Sequence, residues 1–330
     1  MGTALSILDL APIRPGETAT ESFASSVTLA RLAERLGYRR VWYAEHHNMS
    51  TIASSATSVL IAHVAANTES IRLGAGGIML PNHSPLVIAE QFGTLEALHP
   101  GRIDLGLGRA PGSDQTTAAA LRRNLNAADR FPDDVLELQG YLTGHSLIPG
   151  VQATPRAETI VPLYILGSST FGAQLAAALG LPYAFASHFA PDALLAAISA
   201  YRDGFRPSSQ LDAPYLIVGL NVFAADSRME AEAQVLAAQR RRVATLFARG
   251  EELSDEQAND LLNSAAGRHV RQMMRCSAIG TLEDVREYTD DFARQTGADE
   301  LMTVHHAMGS AARLHSVELL AETLDHSLAR

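Results

Sequence analysis

Short apolar runs alternate along the chain with longer segments in which apolar residues recur every three or four positions. The short runs are typical of buried strands, and the longer segments are typical of amphipathic helices. This alternation predicts a parallel sheet whose strands are joined by helical crossovers. The predicted strands span residues 5–10, 40–44, 71–76, 102–107, 163–166, 183–187, 215–224 and 299–304.

Predicted helices fill the segments between these strands. They span residues 18–36, 54–66, 85–98, 169–179, 192–205, 226 to about 249, 281–296 and 310–327, with further helical segments before residue 141. The pattern gives about eight strand–helix units, which is the number that a closed barrel requires. We therefore predict an α/β fold, a (β/α)8 TIM barrel with insertions, formed by residues 1–330 as one domain, because no linker divides the chain.

Two segments depart from the repeat. Residues 145–162 contain proline and glycine without a clear period, and they predict a surface excursion. Residues 251–279 lie between the helix that follows the seventh strand and the next predicted helix. An insertion at the catalytic face of a barrel is a candidate lid over the active site.

Composition narrows the classes of partner. The formal net charge of -10 argues against nucleic acid or an anionic membrane surface as the main partner. The single cysteine, Cys276, cannot form an intrachain disulfide, and no apolar run has the length of a membrane span. The start of the chain lacks the basic region of a signal peptide. These features predict a cytoplasmic protein.

The carboxyl ends of barrel strands are the place to look for an active site. Strand two is followed by Glu45-His46-His47, and a histidine there could act as a general base. Successive strand residues point opposite ways, so only one of the two histidines should face the barrel mouth. The alternative is a structural histidine pair that caps the strand.

Two strand ends carry groups that suit an anion. Arg109 follows Gly108 after strand four, and its planar guanidinium could hold a phosphate, although a surface ion pair is the alternative. Gly167-Ser168-Ser169 precedes a helix, whose free N–H groups attract anions, although a plain N-cap is the alternative. Together these two features make a better phosphate clamp than either does alone.

Glycines mark a further strand end. Gly76-Gly77 follows an apolar strand and indicates either the close approach of a ligand or a simple bulge. The glycines of residues 106–112 do not have the spacing of a dinucleotide-binding fingerprint, and Pro111 disfavours a helix there. A nicotinamide cofactor, if one is used, is therefore expected to bind elsewhere.

At these residues the chain resembles the bacterial-luciferase-like flavin oxidoreductases. The resemblance spans nearly the whole chain. It is carried by residues 45–47, 74–81, 101–109, 167–169, 176–182 and 279–281.

The resemblance implies roles for individual residues. His46 and its acidic neighbour Glu45 would be catalytic, and a cis peptide at Gly76–Gly77 would lie behind the flavin ring. The phosphate grip would comprise Arg109, Ser168, Ser169 and Gly172, and the other cofactor-binding residues would be Gly76, Gly77, Gly108, Leu166 and Gly167. No metal ligand is implied.

The chain also departs from the family pattern. Gly108 stands where some relatives have a cysteine beside the flavin, and Ser168 stands where many have a glutamate. Trp42 is the only tryptophan, so an indole that some luciferases place near the flavin is missing. These departures argue against aldehyde-dependent light emission and leave flavin binding intact.

The resemblance implies a monooxygenase that receives reduced FMN from a separate flavin reductase and uses O2 to oxygenate a small organic substrate. The absence of lysine is typical of a GC-rich bacterial genome, which suggests polyketide or other natural-product tailoring. A homodimer is expected, because the helices at residues 54–66 and 85–98 are apolar on more than one face.

Three alternatives stay open. The first is an oxidoreductase that uses the deazaflavin F420 on the same barrel and transfers hydride without oxygen. The second is a non-catalytic flavin-binding subunit. The third is a metal-dependent barrel hydrolase, although the paired histidines usual on its first strand are absent. Its candidate ligands are His46, His47, His188, His305 and His306.

Overall fold

The computed structural model describes residues 2–110, 114–124, 126–155, 160–248, 253–307 and 309–324. Within these ranges the strands are β1 (Ala4–Asp9), β2 (Arg40–Tyr43), β3 (Arg72–Met79), β4 (Ile103–Gly108), β5 (Leu163–Gly167), β6 (Tyr183–Phe185), β7 (Leu216–Ala224), β8 (Ser277–Gly280) and β9 (Glu300–His305). All of the strand pairings in the sheet are parallel.

Helices follow the strands around the outside. They are α1 (Ala19–Arg35), α2 (Thr57–Ala65), α3 (Pro85–Leu98), α4 (Gln115–Ala120), α5 (Phe131–Thr143), α6 (Thr170–Leu179), α7 (Leu194–Gly204), α8 (Arg228–Phe247), α9 (Asp255–Leu262), α10 (Ala265–Met273), α11 (Leu282–Thr296) and α12 (Ser310–Ala321). A short 3-10 helix, Leu80–Asn82, follows β3. No helix in the described ranges is both long enough and apolar enough to cross a membrane.

Eight of the strands close into a barrel. Their order is β1-β2-β3-β4-β5-β6-β7-β9, and β9 returns to pair with β1. This closed parallel barrel with surrounding helices confirms the predicted (β/α)8 fold. Because the strands are parallel, their carboxyl ends share one rim, which brings together the candidate site residues.

The opposite end of the barrel is filled by a buried ionic cluster. Arg40 donates to Asp104 at 2.7 Å, to Glu300 at 3.1 Å and to the Tyr164 hydroxyl at 2.7 Å. Above this cluster, an apolar layer that includes Trp42 fills the interior. Since side chains occupy these levels, a ligand can approach the barrel interior only from the carboxyl rim.

The structure corrects two details of the strand prediction. The third strand does not end at residue 76 but runs to Met79, with a register shift against β4 between Gly76 and Ile78. The prediction also missed β8, which pairs with the second half of β7 from Asn221 to Ala224. The first half of β7 pairs with β6. Along one and the same edge, β7 therefore pairs first with β6 and then with β8.

The segment predicted as a lid lies within residues 251–279, of which 253–279 are described. The described part contains α9, α10 and the first three residues of β8. A small apolar cluster that includes Phe223, Val243, Leu262 and Val270 packs α9 and α10 against α8 and β7. The segment is therefore a helical layer beside the seventh strand, and its role as a lid stays a prediction.

Candidate active site

Glycines form a side-chain-free surface where β3 and β4 end. The Gly76–Gly77 peptide is cis, as the resemblance implied. A Cβ atom added to Gly77 would lie 2.6 Å from the Gly106 carbonyl oxygen, and one added to Gly106 would lie 2.3 Å from the Ala75 carbonyl oxygen. Only glycine allows the two strands this approach. The result is bare backbone at the rim of the barrel.

Glu45 ties the end of β2 to the end of β3. Its buried carboxylate accepts hydrogen bonds from the Met79 N–H at 2.9 Å, from Asn82 at 3.1 Å, and from the His47 and His83 rings at 2.8 and 3.0 Å. Burial alone would raise the pKa of this carboxyl, but the hydrogen bonds, led by that of His83, hold the pKa below its usual value. The Glu45 side chain is thus an ionised carboxylate that accepts hydrogen bonds from several donors.

His46 is placed differently from its neighbours. Its backbone N–H donates to the Ser54 carbonyl at 3.2 Å, while its Nδ1 is buried without a hydrogen-bond partner among the described residues. Burial lowers the pKa of His46, although the charge of Glu45 opposes this effect. A neutral imidazole with a free nitrogen can accept or deliver a proton, whereas the His47 ring is bonded to Glu45.

The predicted anion-binding groups come together. The Arg109 guanidinium lies 4.0 Å from the centre of the Phe171 ring, in the first turn of α6. The N-cap of α6 is Ser169, which makes no side-chain cap hydrogen bond, and Ser168 and Ser169 are both exposed. The α6 N–H groups therefore stay available beside a guanidinium, which is the arrangement that a phosphate requires.

Small residues let α6 reach this position. A Cβ on Gly167 would lie 3.6 Å from the Gly172 Cα, and a Cβ on Gly172 would lie 3.3 Å from the Tyr183 ring. The Leu166 side chain extends to the glycine surface, where it would lie 3.2 Å from a Cβ on Gly77. At Gly108 an added Cβ would lie 2.9 Å from the Met79 sulfur.

Three polar side chains at the mouth were not predicted as part of this site. Asn221 on β7 donates through Nδ2 to the His188 carbonyl at 2.7 Å and to the Cys276 carbonyl at 3.2 Å. These bonds orient its amide so that Oδ1 accepts from His306 Nε2 at 2.8 Å. From the sequence, His188 and His306 were expected only as candidate metal ligands. An asparagine in an otherwise apolar strand was the signal that could have revealed the cluster.

The two additional histidines are neutral. Burial, assisted by the charge of Arg242, lowers the pKa of His188 to about 3, and the same two causes hold the pKa of His306 well below its usual value. His188 packs over Gly219, where an added Cβ would lie 2.4 Å from its Nδ1. This Nδ1, like that of His46, is buried without a partner among the described residues.

The histidines do not gather as metal ligands. In the described part of the chain, no group of three or more His, Cys, Asp or Glu side chains could hold a metal ion. His305 instead bonds Ser316 at 2.8 Å on the outer side of the barrel, and His306 bonds Asn221. The rim thus brings together the unpartnered Nδ1 of His46, a glycine surface, and a guanidinium beside the start of α6.

Comparisons with known proteins agree with this geometry. The sequence model of the family described as luciferase-like monooxygenase matches residues 3–300. A luciferase-like monooxygenase of Escherichia coli strain K12 is 49% identical over 328 residues, which are 98% of each chain. The N-acetyl-S-alkylcysteine monooxygenase of Bacillus subtilis strain 168 is 35% identical over 300 residues, covering 89% of this chain and 83% of the relative.

Solved structures give the same answer. The crystal structure of apo-MsnO8 superposes with a TM-score of 0.88 at 34% identity and covers 98% of both chains. Family and fold agree over nearly the whole chain, which confirms the resemblance found in the sequence. The chain belongs to the family of luciferase-like monooxygenases.

Proposed function

We propose that this protein is the oxygenating component of a two-component monooxygenase. It would receive reduced FMN from a separate flavin reductase and use O2 to oxygenate a small organic substrate. The observation that carries the proposal is the meeting of Arg109 with the uncapped start of α6, beside a glycine surface and the free Nδ1 of His46. A flat ring system with a phosphate tail fits this arrangement.

The described residues would divide the cofactor between them. Arg109 and the N–H groups after Ser169 would hold the phosphate, with Ser168 beside them. Gly76, Gly77 and Gly108, which the close strand packing requires, would lie nearest the ring, and Leu166, Gly167 and Gly172 would form the adjoining wall. When bound, reduced FMN supplies two electrons, so that one atom of O2 enters the substrate and the other leaves as water.

His46 would be the catalytic acid or base. Its imidazole is neutral near pH 7, and its Nδ1 has no partner among the described residues, so it can exchange a proton with a bound ligand. We propose that Glu45 acts as a positioning residue, because its carboxylate bonds Met79, Asn82, His47 and His83. It would hold the end of β3, and thereby the glycine surface, in place.

Water would be kept from the reacting groups by the layers around them. The ionic cluster and Trp42 fill the barrel below the site. Above it, we propose that the segment at residues 253–279 acts as the lid, since it is fixed to β7 beside the rim. Exclusion of water protects reactive intermediates from wasteful decay.

The proposed partners are a separate reductase, a second copy of the chain and a small organic substrate. A separate reductase is proposed because residues 106–112 do not match a dinucleotide-binding fingerprint. We further propose that the chain is one barrel domain that forms a homodimer. The Bacillus subtilis relative is named for N-acetyl-S-alkylcysteines, which are small organic acids. The predictions of a cytoplasmic location and of natural-product tailoring stay predictions.

Titration of the purified protein with FMN and with F420 tests the cofactor. We expect FMN to bind, Arg109→Gln to weaken binding at least tenfold, and Arg35→Gln on the exposed face of α1 to leave it unchanged. A phosphate held by a guanidinium contributes enough binding energy for this difference. Preference for F420, with hydride transfer in the absence of O2, would contradict the proposal.

A turnover assay tests the chemistry. Reduced FMN, generated by a free reductase, is supplied with O2 and a set of small organic substrates that includes N-acetyl-S-alkylcysteines. We expect substrate-dependent incorporation of one oxygen atom, detected by mass spectrometry with labelled O2. FMN binding without any oxygenation over the set would favour the non-catalytic subunit.

A further inference from the structure

The side of the mouth formed by β7 and β9 carries positive charge that the proposed flavin site does not use. Helix α8 crosses this side, and its Arg241 donates through Nη2 to the His306 carbonyl at 3.2 Å. The next residue, Arg242, is half-buried, and its charge acts on both His188 and His306. The bond from Arg241 to His306 places the middle of α8, and with it Arg242, beside the end of β9.

Arg242 differs from the other buried arginines of the barrel. Arg40 bonds Asp104 and Glu300, and Arg313 bonds Asp9 at 2.9 Å. Among the ion pairs of the described ranges, Arg242 has no carboxylate partner. Even a half-buried guanidinium without a counter-ion attracts negative charge, so this environment favours an anion supplied by a ligand.

The neighbours of Arg242 do not supply this negative charge. His188 and His306 are neutral, and the Asn221 amide between them is held by two carbonyl groups. His188 adds a buried Nδ1 that has no partner among the described residues. A ligand carboxylate at this place would meet a guanidinium and would face no competing carboxylate from the histidine cluster.

The basic group on α8 is separate from the phosphate grip. Arg109 follows β4, whereas α8 follows β7, which stands three strands further around the eight-stranded barrel. The glycine surface and His46 belong to the ends of β2, β3 and β4. The mouth thus has two cationic groups at strand ends three positions apart, and a ligand bound at one leaves the other available.

We propose that Arg242 binds a carboxylate of the substrate, so that the compound oxygenated by this enzyme is an organic acid. Arg241, bonded to the adjacent backbone, would add positive charge and hold α8 against the rim. This inference rests on the proposed function, because it assigns the remaining side of the mouth to the substrate. The substrate would lie between α8 and the flavin, with its reactive atom towards His46.

Binding of matched acids and esters tests the proposal without requiring turnover. FMN-loaded protein is titrated by calorimetry with N-acetyl-S-benzylcysteine, decanoate and 3-phenylpropionate, and with the methyl ester of each acid. We expect at least one acid to bind tenfold or more tightly than its ester. Arg242→Gln should abolish this preference while leaving ester binding unchanged, and Arg242→Lys should restore part of it. Arg35→Gln, with the same change of charge on an exposed surface, should behave as wild type.

Two outcomes of the acid and ester titrations would overturn the inference. One is equal or weaker binding of every acid than of its ester by the wild-type protein. The other is an acid preference that survives in Arg242→Gln. FMN titration of the same samples separates this inference from the proposed function: failure of the wild type to bind FMN contradicts that function. A loss of FMN affinity in Arg242→Gln as large as in Arg109→Gln would assign Arg242 to the flavin and overturn the inference alone.

Discussion

His46 is set apart by its free ring nitrogen rather than by its place in a histidine pair. His47 bonds Glu45, while the buried Nδ1 of His46 has no partner among the described residues. His47 therefore supports the site, and His46 is available as an acid or base. The alternation of side-chain directions along an extended segment predicts this difference.

Replacing His46 with asparagine should lower the turnover number by about 10²–10⁴-fold, the usual contribution of a general acid or base. FMN affinity should change little, because the phosphate grip is intact. Since the pKa of His46 lies below its usual value of 6.5, wild-type activity should persist at neutral pH and decline only in more acidic buffer. Stopped-flow oxygenation over a pH series measures both effects.

The matched control is His145→Asn, on the exposed segment after α5. It should retain full activity and the wild-type pH profile. Unchanged turnover in His46→Asn would remove the catalytic assignment.

Buried His305 should make the fold sensitive to acid. It bonds Ser316 and Thr303, and burial lowers its pKa to about 3, whereas the unfolded chain titrates near 6.5. Between these two values the unfolded state binds the additional proton. The contribution of His305 to stability is thus complete above pH 6.5 and decreases by about 1.4 kcal/mol per pH unit as the pH falls.

Urea unfolding at pH 7, 6 and 5 checks this prediction. The free energy of unfolding of His305→Gln should depend less steeply on pH than that of the wild type, while His145→Asn should retain the wild-type slope. Parallel slopes for His305→Gln and wild type would contradict it.

At the scale of elements, the contact between β3 and β4 depends on glycine. Gly106→Ala should destabilise the fold by about 3 kcal/mol or more, because its Cβ would overlap the Ala75 carbonyl and force the strands apart. It should also weaken FMN binding. Gly204→Ala at the end of α7 is the control, since its Cβ would make an ordinary 3.5 Å contact with Ala177. Thermal unfolding that shows equal effects for the two variants would contradict the prediction.

Most elements could be predicted because their patterns are local. The eight barrel strands and most of the main helices follow from apolar periodicity, and the cis peptide came from the resemblance at Gly76–Gly77. Strand β8 has only four residues and pairs only with the far half of β7. Its sequence, Ser277 to Gly280, lacks the length that separates a strand from a loop, so only tertiary pairing defines it.

Part of the site could be predicted because it follows from the order of the strands in the sheet. Arg109 and Ser169 follow successive strands in a parallel sheet, so their meeting follows from topology. Arg242 lies in the middle of a 20-residue polar helix, where an arginine is usually solvated. Its place beside His188 depends on how α8 packs, which no local pattern reveals.

At the scale of the whole molecule, the exposed apolar residues of α2 and α3 carry the dimer prediction. Val59 and Val87 are 68% and 45% exposed, and Ser58 next to Val59 bonds Gln91, one turn after Val87. The two helices thus lie side by side, and each exposes a valine to solvent.

Wild-type protein should therefore sediment as a dimer, and the double variant Val59→Glu, Val87→Glu as a monomer, because paired charges cannot be buried without partners. Leu195→Glu on α7, at a position 67% exposed, is the control and should stay dimeric. Analytical ultracentrifugation distinguishes the outcomes, and a monomeric wild type would contradict the prediction.

The divided pairing of β7 has an evolutionary consequence. Its first half closes the barrel with β6, while its second half holds β8, and α8, α9 and α10 lie between β7 and β8. Lengthening or exchanging residues 228–280 would leave the eight barrel strands and the Arg109–α6 grip in place. Descendants of this scaffold could thus acquire new substrates by changing one contiguous stretch of their gene while inheriting the proposed cofactor site unchanged.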